Sequence, residues 1–108
     1  MIYNVVLTEP AWEDIQKSAL YISDTLMNSE AADNLLNSIN EKLEVLSEMP
    51  YINPVVRDSV LASYGLRFQR VNNYLAFYVI HEDTKTVSVI RFQYSSRDWN
   101  SLLKAELE

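Results

Sequence analysis

Residues 66–94, LRFQRVNNYLAFYVIHEDTKTVSVIRFQY, hold three β-branched and aromatic runs separated by two turn signals. The runs 66–71, 74–80 and 86–94 read as strands. Asn72-Asn73 fits a two-residue hairpin because asparagine tolerates positive φ, and residues 82–85 close a second one. The stretch predicts an antiparallel three-stranded meander, and the rest of the chain has to cover it. Simple alternation in 86–94 places Ile90, Phe92 and Tyr94 on one face, with Val89, Arg91 and Gln93 on the other.

Upstream, residues 2–7 (IYNVVL) read as a short strand. Thr8 stands where an N-cap belongs, with Pro10 in the first turn behind it. Ala11, Ile15, Ala19, Ile22 and Leu26 then recur at helical spacing. Asn28 or Ser29 can cap a second helix whose stripe is Ala32, Leu35, Leu36, Ile39, Leu43 and Leu46. Pro50 ends it. Two amphipathic helices joined by so short a link form an antiparallel hairpin. Residues 51–64 show no clean period and read as a loop with little regular structure. Residues 96–107 form a last helix capped by Ser95 or Ser96. The order β-α-α-β-β-β-α predicts an α+β fold, a helical hairpin packed on a largely antiparallel sheet, in a single domain over residues 1–108.

Composition narrows the function classes. Hydrophobic residues make up 48% of 108 and there is one glycine, so the chain is neither disordered nor repetitive. Absence of cysteine excludes disulfides and thiolate metal sites, and with a single histidine no metal or cofactor is expected. The start of the chain lacks the charged and apolar regions of a signal peptide. The longest apolar run, 74–80, is far too short for a bilayer. The expectation is a cytoplasmic protein with no membrane contact. A net charge of −6 removes the basic footprint on which general nucleic-acid binders depend.

More specific information lies in Gly65, Leu66, Arg67, Val71, Tyr74, Phe77 and Tyr78, followed by Arg91, Tyr94, Arg97 and Asp98. Their order and spacing resemble the RelE/ParE superfamily of bacterial toxins, the toxin halves of type II toxin–antitoxin pairs. The resemblance covers nearly the whole chain, and residues 8–50 look like the family's helical hairpin. It implies growth arrest, a cognate antitoxin in a hetero-oligomeric complex, and one of two modes. Some members cleave mRNA on the ribosome, whereas ParE-like members inhibit DNA gyrase without catalytic residues. A superfamily domain that has lost toxicity and only binds a partner is a third reading.

Ribosome-dependent cleavage needs the ribose 2′-oxygen to attack the neighbouring phosphate, with proton transfer and cations to offset the developing charge. The resemblance implies Arg67 and Arg97 for charge, Tyr94 for positioning or proton transfer, and Arg91 and Gln69 for substrate contact. Gln69 and Leu75 stand where cleaving members carry basic residues. Each candidate also has a structural reading: Arg91 can cover apolar surface at a sheet edge, and Tyr94 can be core. His81, beside Glu82 and Asp83, reads as solvated. Convergence of Arg67, Arg91 and Arg97 into one patch beside the end of the last strand is the expectation on which a phosphate site depends.

Overall fold

The computed structural model describes residues 2–107. Strand β1 (Asn4–Leu7) leads into helix α1 (Glu9–Leu20), continued by a π-helical turn (Tyr21–Thr25). Helix α2 (Ser29–Glu48), a 3-10 turn (Pro50–Ile52) and the short α3 (Ser59–Ser63) follow. The meander is β2 (Arg67–Val71), β3 (Tyr74–His81) and β4 (Thr86–Tyr94), and α4 (Trp99–Leu107) ends the described chain.

The sheet order is β1-β4-β3-β2. Strand β1 runs parallel to β4 and the other pairs are antiparallel, so the expected α+β architecture holds with one parallel edge. Asn72 at φ 54 and Lys85 at φ 50 make the two hairpin turns. Thr8 caps α1 through the Ala11 N–H, and its hydroxyl lies 3.1 Å from both the Val89 and Ile90 carbonyl oxygens, fixing the helix start to β4. Asn28 caps α2 by accepting from the Ala31 N–H at 3.0 Å.

Both faces of the sheet are covered. On one, Ala11, Ile15, Leu35, Ile39 and Leu46 of the hairpin pack on Val71, Ala76, Tyr78, Val87, Val89 and Phe92. On the other, Leu61 of α3 and Leu103 of α4 pack on Leu66, Leu75 and Phe77. Trp99 adds ring contacts to Phe77 at 5.0 Å and Phe68 at 6.1 Å.

Four expectations change. Residues 51–64 hold the 3-10 turn and α3, whose N-cap Asp58 also pairs with Lys104 of α4 at 2.6 Å. The last helix begins three residues late, with Asp98 rather than a serine accepting the Ser101 N–H at 3.3 Å. Leu26 leaves the apolar stripe, because the π turn rotates it outward to 54% exposure. Finally, β4 carries a bulge: Phe77 pairs with Arg91 but Tyr78 with Val89, leaving Ile90 as the extra residue. Ile90 therefore packs with the α4 side, while Phe92 joins the hairpin side. Among the described residues no helix is long and apolar enough to cross a membrane.

Candidate functional site

Strand β1 pairs with β4 only as far as Leu7 opposite Val89, so the outer part of β4 has no strand on that side. Helix α1 crosses there instead. Asp14, in its second turn, reaches the bare edge: its Oδ2 accepts the Phe92 backbone N–H at 3.0 Å, Gln93 Nε2 at 3.0 Å and Arg91 Nε at 2.6 Å, and its Oδ1 accepts Arg91 Nη2 at 3.0 Å. A carboxylate thus does the work of a missing ladder partner. Arg91 also pairs with Glu106 of α4, so one guanidinium ties α1, β4 and α4 together. Its side chain is only 14% exposed, and the Asp14 hydrogen bonds first, then the charges of Asp14 and Glu106, raise its pKa against the opposing effect of burial.

Beyond Asp14 the gap widens into a cleft of about 660 Å³. Lys17, Ser18, Tyr21, Ile22 and Leu26 form the helical wall. Asn73, Tyr74, Phe92, Gln93, Tyr94 and Arg97 form the other. Tyr74 stacks on Phe92 at 4.9 Å and meets Tyr94 edge-on at 5.4 Å, giving a rigid aromatic floor. Tyr94 is 48% exposed. Among the described residues the side chains of Lys17 and Arg97 have no acidic partner.

Sequence candidates divide into three places. Tyr94 and Arg97 share the cleft. Arg91 is enclosed between Asp14 and Glu106. Arg67 and Gln69 lie together on β2, bound to the connector after α2. Arg67 donates to the Asn53 carbonyl oxygen and covers the Tyr51 ring at 5.0 Å. Gln69 Oε1 accepts from Asn53 Nδ2 at 2.9 Å, and Tyr78 donates its hydroxyl to the Pro50 carbonyl at 2.7 Å. The expected three-guanidinium patch does not form. Arg67 pairs with Tyr78 and Tyr94 with Tyr74, four residues apart along β3 and so about 13 Å. The bulge and Asp14, meanwhile, draw Arg91 to the far side of β4. His81 stands at the other end of the sheet, opposite Thr86.

That far end has its own polar cluster. Glu82 accepts from Tyr51 at 2.6 Å and Tyr3 at 3.0 Å and pairs with Lys85. These hydrogen bonds, Lys85 foremost, hold its carboxyl down to about 2. Among the described residues no group of His, Asp or Glu side chains is placed to hold a metal ion.

Sequence reasoning missed Asp14, Lys17 and Tyr21. A signal for Asp14 was present, since at i+3 from Ala11 and i+4 before Ser18 it sits on the inner border of the apolar stripe.

The family model of the ParE toxin of the type II toxin–antitoxin system parDE matches residues 5–99. The chain belongs to this family. Solved structures bear out the fold of a ParE toxin. The chromosomal ParDE toxin–antitoxin system from P. aeruginosa superposes with a TM-score of 0.69 at 16% identity, covering 86% of this chain and 96% of that one. The isolated E. coli RelE toxin gives 0.57 at 18% identity, covering 98% and 99%. The RelBE2 toxin–antitoxin complex from Mycobacterium tuberculosis gives 0.55 at 21%, covering 87% and 99%. No curated protein matches the chain.

Proposed function

We propose that this ParE-family toxin arrests growth by binding its target, DNA gyrase, rather than by cutting RNA, and that a cognate antitoxin neutralises it. The dispersal of the cationic set carries the reading. In-line attack on a phosphate needs a base, an acid and charge stabilisation within reach of one atom. Here Arg67 is engaged at the connector, Arg91 is held by two carboxylates, and His81 lies at the opposite end of β3. The cleft retains Tyr94, Arg97 and Lys17. These can hold a partner and orient it; no histidine lines the cleft, and its one carboxylate, Asp14, is already engaged by Arg91, Phe92 and Gln93. A net charge of −6 also opposes docking on a phosphate-rich ribosome. The antitoxin follows from the RelBE2 complex and the ParDE system to which the chain is similar.

Supercoiling of relaxed plasmid by purified gyrase tests the target. Loss of supercoiling at stoichiometric toxin is expected, and no inhibition at several-fold excess would overturn it. Primer extension on translated mRNA tests the runner-up, a ribosome-dependent nuclease, which the shared placement of Tyr94 and Arg97 favours. New 5′ ends that vanish with Arg97→Ala would establish that reading in its place.

A further inference from the structure

We propose that Met27, at the tip of the helical hairpin, is a site of reversible oxidation by peroxide, and that its sulfoxide weakens the toxin. The inference rests on the reading of this toxin as one that works through contact with a protein target.

The sequence leaves peroxide few places to react. The chain has no cysteine and three methionines. Two-electron oxidants attack thiolates and thioethers, so methionine carries this chemistry here. Of the two methionines that the structure describes, Met27 is 85% exposed and Met49 54%. Met49 closes α2, its N–H donating to the Val45 carbonyl at 2.8 Å, whereas Met27 stands outside every helix and strand.

The backbone displays this sulfur. Leu26 donates its N–H to the Tyr21 carbonyl at 3.1 Å, and Asn28 reaches back to the Ile22 carbonyl at 3.1 Å. Between these two bonds Met27 is held at φ 54, the left-handed conformation that usually falls to glycine where a helix ends. Asn28 then caps α2 through the Ala31 N–H. A pinned turn thus keeps a strained, exposed side chain, and that side chain is one whose polarity an oxidant changes.

In the reaction a sulfur lone pair attacks one peroxide oxygen. The S–O bond forms as the O–O bond breaks, and proton transfer releases the other oxygen as water. Sulfur loses two electrons and the peroxide gains them. A methionine sulfoxide reductase reverses the step, removing the oxygen as water with two electrons from a thiol pair.

The consequence falls on the surface alone. Leu20, Tyr21 and Leu26 are exposed around Met27 and make the tip apolar. A sulfoxide places a strong dipole in that patch, and burying it against an apolar partner without a donor costs free energy. Met27 packs in neither core cluster, so the added oxygen meets no interior neighbour. Oxidation changes what the tip binds and leaves the fold as it is.

Hydrogen peroxide treatment of the whole protein, followed by peptide mass spectrometry over time, tests the site. Met27 sulfoxide is expected to form several-fold faster than Met49 sulfoxide, with no change in melting temperature. Affinity for purified gyrase falls about tenfold and returns after methionine sulfoxide reductase with dithiothreitol. Met27→Leu, apolar but inert to peroxide, keeps the parent's affinity before and after treatment. In cells, Met27→Gln, polar like the sulfoxide, arrests growth weakly while Met27→Leu arrests it as the parent does. The proposal falls if Met27 oxidises no faster than Met49, or if the oxidised protein melts lower. It falls equally if peroxide weakens Met27→Leu as much as the parent, or if Met27→Gln and Met27→Leu arrest growth alike. A parent that does not bind gyrase, with the growth difference between the two variants intact, removes the target assignment and leaves this site standing.

Discussion

The Asp14 carboxylate accepts the backbone N–H of Phe92 at 3.0 Å, closing a sheet edge that β1 is too short to reach. Because the same carboxylate also holds Arg91, which binds Glu106, its loss removes one partner from a partly buried ion pair and exposes a strand. Breaking such a pair costs about 3–5 kcal/mol. Asp14→Ala is expected to lose about 3 kcal/mol in urea denaturation, with hydrogen exchange speeding up first at Phe92.

Arg67 and Arg97 separate in the same assay. Arg67→Ala removes the hydrogen bond to the Asn53 carbonyl and the stacking on Tyr51, a loss of about 1–2 kcal/mol. Arg97→Ala changes stability by less than about 0.5 kcal/mol, since its exposed side chain has no acidic partner among the described residues. Growth arrest on induction is expected to fall in the second variant although its fold is intact. Equal arrest by Arg97→Ala and the parent would place the working surface elsewhere.

Much of this fold was legible because its elements repeat locally. Period-two runs marked the strands, Asn72-Asn73 marked a hairpin, and the Thr8 and Asn28 signals marked the helix starts. What escaped was set by contacts distant in sequence. The Asp14–Arg91 pair spans 77 positions, and no pattern in either segment announces it. The bulge at Ile90 shifts the alternation of β4 by one, so Arg91 leaves the face that counting assigns to it. Helix α3 is a single capped turn, too short to show a period. The candidate site was therefore half visible: Tyr94 and Arg97 were named and do meet, whereas their opposite wall belongs to a helix that had been read only for its apolar side.

Glu82 sets an acid limit. Its folded carboxyl titrates near 2 against an ordinary 4.5, so the unfolded chain takes up the proton first as pH falls. The stabilisation is complete above about 4.5 and disappears progressively as pH drops toward 2. Asp58, lowered chiefly by its hydrogen bond with Lys104, acts in the same sense. Lys85→Ala is expected to raise the Glu82 midpoint, read from carboxyl carbon shifts, and to flatten the fall of melting temperature in that window. An unchanged midpoint would mean that Tyr3 and Tyr51 alone hold the carboxylate.

At the hairpin tip, stability and activity are expected to part. Met27→Gly relieves the positive φ and raises stability by up to about 1 kcal/mol, a gain of several degrees in Tm. It also deletes the most exposed apolar side chain of the tip. A more stable protein with weaker growth arrest is the anticipated outcome. Unchanged arrest would assign the tip no part in toxicity.

The four residues of β1 are a ruler. Had that strand continued past Thr8 alongside Ile90 to Tyr94, backbone pairing would have zipped the edge shut and left no room for a guest. The opening is thus a product of where one strand turns into a helix. Chains that share this architecture can gain or lose a docking port by moving that switch a residue or two, with the interior left untouched.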